Sequence, residues 1–109
     1  MHWYSHLYVG EKAAGKRYAV IQKIRRGEKD LRVYVITPAS GGNNILDIYS
    51  AAEFFRPFRQ ERDPLILGIA DGYDEALCVA GKIVADMYRT TGDFSLEKFL
   101  AQRDGERFE

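Results

Sequence analysis

The sequence predicts an α/β fold: a small three-layer sandwich in which a three-stranded, mostly parallel sheet carries helices on both faces, in the order β-α-β-α-β-α-α. Three observations predict it. Short β-branched and aromatic runs alternate with stretches whose apolar residues recur every three to four positions. One run, "PLILGIA" (Pro64 to Ala70), is almost wholly apolar, as in a strand covered on both faces. The chain has 109 residues, 46% of them apolar and 29% charged, which suits one globular domain able to bury a single core. That domain is expected over residues 1–102, with "RDGERFE" (103–109) as a flexible tail.

"HWYSHLYV" alternates Trp3, Ser5, Leu7 and Val9 against Tyr4, His6 and Tyr8, and reads as the first strand. From Lys12 the period becomes 3.6, with Ala14, Tyr18 and Ile21 on one track and Arg17, Val20 and Ile24 beside it. This predicts a first helix ended by Gly27. A competing assignment pairs "RYAVIQKI" as a strand with "LRVYVIT" across "RGEKD", although alternation in that stretch is poor. "LRVYVIT" is the second strand, stopped by the loop "PASGGNN". Asn44, with Asp47 three positions on, reads as the cap of a second helix through "ILDIYSAAEFF", closed by Pro57. "PLILGIA" is then the sheet centre. Asp71 and Asp74 cap a third helix whose stripe Tyr73, Leu77, Ala80, Val84, Met87 and Tyr88 is expected to face inward until Gly92. "SLEKFLAQ" is a short last helix.

Composition excludes several classes. No apolar run reaches the ~20 residues of a spanning helix, and the N-terminus lacks a secretion signal, so the expected compartment is cytoplasmic, with no membrane partner. One cysteine, Cys78, permits no internal disulfide and supplies no metal spacing. Its place beside the inward stripe suits a small apolar filler. Net charge is zero, but residues 1–32 hold eight Lys or Arg against three Asp or Glu, and the remainder eight against thirteen. The basic end raises a nucleic-acid reading through Lys12, Lys16, Arg17, Lys23, Arg25 and Arg26. A helix scatters those charges around half its cylinder, and no nucleic-acid motif accompanies them, so that partner is not expected.

The sharpest motif is "VGEKAAGKR", close to the G-x-x-x-x-G-K-[ST] loop that cradles nucleotide phosphates. Gly10 follows a strand and Lys16 lies near a helix start. Arg17, however, occupies the place of the hydroxyl residue that holds magnesium. The reading preferred is a turn glycine, Gly10, and a helix-interior glycine, Gly15, that brings the first helix close to the sheet. His2 and His6 share a strand face but lack a third ligand, so no metal is expected. No G-x-S-x-G element occurs and no histidine follows His6, which leaves no catalytic residues and no cofactor to assign. Asp71, Asp74 and Glu75 suit a divalent cation or, preferably, the dipole of a helix start.

Four blocks, "LYVGE", "VYVIT", "GIADGYDEA" and "VADMYRTTGDF", resemble in kind and order a group of short bacterial α/β proteins with no assigned activity. The likeness spans about residues 6–100. It implies the block order, carries no catalytic or binding residue, and leaves Gly15 and Lys16 outside its pattern.

In a parallel sheet, ligands sit beyond the carboxyl ends of the strands. That rim predicts a small anionic ligand held by Glu11, Ser40, Asn43, Asn44, Asp71 and Tyr73. The rings Tyr49, Phe54, Phe55 and Phe58 outnumber what one short helix buries. Phe54, Phe55 and Phe58 are therefore the expected interface of a homodimer or protein partner. The function expected first is a non-catalytic binding or assembly module. A small-ligand or nucleotide-binding domain using the rim is the alternative.

Overall fold

The computed structural model describes residues 1–40, 44–55 and 64–107. The chain runs β1 (His2–Val9), α1 (Glu11–Ala14), α2 (Arg17–Arg25), β2 (Val33–Pro38), β3 (Leu46–Ser50), α3 (Ala51–Phe54), β4 (Leu65–Asp71), α4 (Tyr73–Thr91) and α5 (Leu96–Arg107). The fold is mixed α/β around an open four-stranded sheet of order β1-β4-β2-β3. β1 and β4 are parallel, with His2 opposite Leu65 and Val9 opposite Ile69 across an irregularity between Trp3 and Tyr8. β2 runs antiparallel to both of its neighbours. The expected count of three strands, their mostly parallel sense and the simple three-layer arrangement are thereby corrected.

The correction originates in "ILDIYS", taken from sequence as helix and found as β3. Leu46 and Ile48 alternate with Asp47 and Tyr49, the period of a strand. The Asp47 carboxylate caps nothing. It accepts from the Ser40 amide at 3.0 Å, the Ser40 hydroxyl at 3.1 Å and the Tyr49 hydroxyl at 2.8 Å, tying β2 to β3 as a hairpin. A short connection of that kind can join only antiparallel strands.

β4 is central, as its composition predicts, and fills the gap between β1 and β2. Strand β2 divides its side chains between two cores. Tyr34 and Ile36 join Leu67, Ala70 and the α4 residues Ala76, Val79, Ile83 and Met87, together with Phe99 of α5. Val33 and Val35 join Ile66, Ile69, Ala13, Val20, Ile24 and Ala51. Residues 17–24 are helical, so the hairpin alternative for them falls away. The first helix is nevertheless broken at Gly15–Lys16. Gly15 is exposed, and a methyl placed on it would meet only the Lys12 carbonyl oxygen at 3.7 Å. It does not bring a helix to the sheet.

Of the expected inward stripe of α4, Met87 is buried as expected, and the rest of the buried face lies one position before the expected residues. Ala76, Val79, Ile83 and Met87 are buried, whereas Tyr73, Leu77 and Tyr88 are exposed. Space at the sheet explains the choice: Val79 Cγ1 would stand 2.9 Å from any Cβ on Gly68, so α4 seats its small and branched residues there. Cys78 is exposed rather than an apolar filler. Gly92 ends α4 in the left-handed conformation, as expected. Among the described residues no helix is long and apolar enough to cross a membrane.

Candidate functional site at the carboxyl end of β4

Strand direction decides which residues share a rim. Val33 of β2 lies opposite Asp71 of β4, so β2 begins where β1 and β4 end. Glu11, Asp71 and Tyr73 therefore stand at one end of the sheet. Ser40 and Asn44 stand at the other, beyond the end of β2, and Asn43 lies outside the described residues. The rim expected to gather all six is split by the antiparallel β2, and Ser40 is engaged in the hairpin. Glu11 is exposed in the first turn of α1, and the Tyr73 ring leans on Tyr34, 5.8 Å between centroids.

Of the six, Asp71 is the one held in a charged cluster. It ends β4 with its side chain only 7% exposed, and the more exposed Lys16 and Arg32 converge on it. Lys16 Nζ is 2.7 Å from Oδ2 and Arg32 Nη2 is 3.0 Å from Oδ1. The Lys16 hydrogen bond, with the Arg32 guanidinium behind it, holds the carboxyl below the usual aspartate range despite burial. The next residue, Gly72, adopts φ 96°, which lets the chain turn from strand into α4, and its amide donates to the Arg32 carbonyl at 2.7 Å. Gly72, rather than Asp71 or Asp74, occupies the cap position, and no side chain caps the helix.

Glu75 stands in the first turn of α4, as expected, but with partners that the sequence does not announce. Its carboxylate accepts from the amides of Lys12 at 2.7 Å, Ala13 at 3.0 Å and Asp71 at 2.9 Å. Burial pushes Glu75 up, but these three donors outweigh it and hold the group below the usual glutamate range. Gly10 makes room: a Cβ there would fall 2.2 Å from Glu75 Oε2. A glutamate three residues into a helix that reaches back to the preceding turn is a known start signal. Its bonds to Lys12 and Ala13, more than sixty residues away, have no local signature.

The loop resembling a phosphate cradle is thus filled from within. The amides of Lys12 and Ala13 hold the Glu75 carboxylate, and Lys16 holds Asp71. Carboxylates of the protein itself engage these donors. Neither carboxylate acts as a simple cap or as half of a cation cage, and among the described residues no group of three or more His, Cys, Asp or Glu is arranged to hold a metal.

The aromatic interface residues lie elsewhere. Phe54 and Phe55 are half-buried against the core cluster of α2 and β2, with ring centroids 5.0 Å apart and Tyr49 at 6.1 Å from Phe54. Phe58 lies outside the described residues. The basic stretch is partly matched by acids, Lys23 with Asp30 at 2.8 Å and Arg26 with Glu28 at 3.4 Å. Among the described residues Met1, Tyr18 and Leu31 are exposed in separate segments, whereas Tyr73, Leu77, Tyr88 and Phe94 are exposed together on α4 and just beyond it, with Phe94 stacked on Tyr88 at 5.1 Å. Beside this surface a shallow groove of about 530 Å³ runs between β3 and α4, lined by Ile45, Leu46, Ile48, Ala80, Gly81 and Val84, with Asn44 at its end. No family model, no curated protein and no solved structure matches this chain.

Proposed function

We propose that this protein is a non-catalytic assembly module that works through the outer flank of α4. The observation that carries the reading is the exposed run Tyr73, Leu77 and Tyr88 on a well-packed helix, continuous with the apolar groove beside β3. Contiguous apolar surface of this kind marks association sites. The rim supports the same reading, because the Asp71 and Glu75 carboxylates are engaged by Lys16, Arg32 and backbone amides of the chain itself. The partner surface is accordingly placed on α4 rather than at Phe54, Phe55 and Phe58.

A photo-crosslinking residue at Leu77, in cells producing the protein, tests this. It is expected to give a discrete cross-linked species, while the same probe at exposed Arg25 on the opposite core gives none. No species from Leu77, or equal labelling from both positions, overturns the assembly reading.

A further inference from the structure

Resting on that reading, we infer that the occupant of the α4 flank is a second copy of this chain, lying antiparallel across a two-fold axis between Ala80 and Gly81. The outer stripe of α4 is a palindrome. Outward from its centre come the small pair Ala80 and Gly81, then the aliphatic pair Leu77 and Val84, then the aromatic pair Tyr73 and Tyr88. Each member is as far before the centre as its counterpart is after it. When a helix meets its own copy head to tail, a residue before the centre faces the residue equally far beyond it. Here Tyr73 meets Tyr88, Leu77 meets Val84, and the smallest residues meet at the crossing point.

The spacing suits such a contact. Leu77, Gly81, Val84 and Tyr88 follow steps of four, three and four, which keep one stripe toward a neighbouring helix. The glycine also gains a reason. Gly81 sits in the interior of a 19-residue helix, is exposed, and has nothing among the described residues within 4 Å of the place its Cβ would take. None of the described residues calls for a glycine there, which weakens a helix interior by roughly 1 kcal/mol relative to alanine. Close approach of a second helix at the centre of the palindrome supplies the requirement.

Charge agrees with the same axis. Asp74 and Arg89 flank the stripe on its solvent side, one near each end of α4, Arg89 being also ion-paired with Asp86 of its own helix. Antiparallel pairing brings Asp74 of each copy alongside Arg89 of the other, twice per dimer. Parallel pairing would set like charges together. The groove beside β3 receives Leu77 of the second copy next to Val84.

Sedimentation of the full chain at micromolar concentration is expected to give twice the 12.5 kDa chain mass. Gly81→Lys meets none of the described residues of its own chain and improves helix propensity, yet it is expected to weaken the dimer by about 100-fold or more, as loss of a packed interface centre does. Asp74→Lys and Arg89→Glu are each expected to weaken association, and the double variant to restore it. Gly81→Cys in a Cys78→Ser background is expected to form a disulfide-linked dimer on mild oxidation. A monomer throughout the micromolar range, a dimer indifferent to Gly81→Lys, or no recovery in the charge-swapped double variant overturns the two-fold pairing. The Leu77 cross-link separates the failures: a species containing a different protein refutes self-association alone, and no species refutes the assembly reading as well.

Discussion

The two sides of α4 show opposite uses of an exposed helix. At its N-terminal turn, Glu75 and Asp71 meet three backbone amides and two cations, so the polar groups at the end of β4 are satisfied within the chain. Along its outer flank, Tyr73, Leu77 and Tyr88 present carbon to water. The first region holds four segments together and carries stability. The second, more exposed, carries little of it in the monomer. A rim position, commonly a ligand site in α/β proteins, has here been given to internal bonding.

The sharpest way to break this contrast is Glu75→Ala. Three amides then lose a charged acceptor, and urea unfolding is expected to show a loss of about 3 kcal/mol, since bonds to charged groups contribute about 1.5–3 kcal/mol each and water reaches part of this site. Gly10→Ala places a methyl where the carboxylate lies and is expected to lose about 2 kcal/mol by overpacking. Because both variants remove one contact, the double variant should fall well short of their sum. Strict additivity would mean that Gly10 and Glu75 act separately.

Acid provides the next test. Asp71 and Glu75 have folded-state pKa values below their unfolded ones. Such groups contribute stability that is fully present above the unfolded carboxylate pKa and disappears as pH falls through the folded pKa. The urea midpoint is therefore expected to decline below about pH 4.5 and to level off only beneath the depressed values. Asp71→Asn should flatten that decline while lowering stability near neutrality. An unchanged slope in the variant would show that Asp71 is no better stabilised folded than unfolded.

Smaller effects are expected where the cations are exposed. Lys16→Ala should cost about 0.5–1 kcal/mol, because Arg32 remains on Asp71 and solvent screens the lost charge. ATP or GTP with magnesium should leave the melting temperature unchanged in both proteins. A nucleotide-dependent rise lost in Lys16→Ala would make the rim a phosphate site. On the α4 flank, Leu77→Ser should change monomer stability by no more than about 0.5 kcal/mol, as for surface positions generally. A large loss there would assign Leu77 to the core and remove the contrast.

Local patterns made much of this fold legible. β1, β2, β4 and α4 follow from period and punctuation, and the wholly apolar "LILGIA" marked the central strand. β3 was not legible, because "NNILD" carries a helix-start pattern and only tertiary pairing reveals Asp47 as the clasp of a hairpin. That single reading reversed β2 and moved Ser40 and Asn44 to the opposite rim from Asp71. The stripe of α4 was misread for another reason: it bears two apolar stripes about a quarter turn apart, and composition alone favours the bulkier one. Contact with Gly68, a property of a different strand, selects the smaller. At the rim, Asp71 was singled out as a ligand group, whereas its partners Lys16 and Arg32 come from distant segments that no local pattern links to it.

The place of β4 also orders events in time. It is the last of the described strands in sequence and the second across the sheet, inserted between β1 and the β2–β3 hairpin. During synthesis the hairpin can close as soon as Ser50 has emerged, since its partners are neighbours in sequence. β1 must wait for Leu65–Asp71, more than sixty residues behind it, and the entropy of closing that loop falls on the final step. A chain that has emerged only as far as β4 therefore has its four strands but lacks α4 and α5, whose Ala76, Val79, Ile83, Met87 and Phe99 complete one of the two cores. Optical-trap measurements on nascent chains should accordingly register stable folding only after α4 has also emerged.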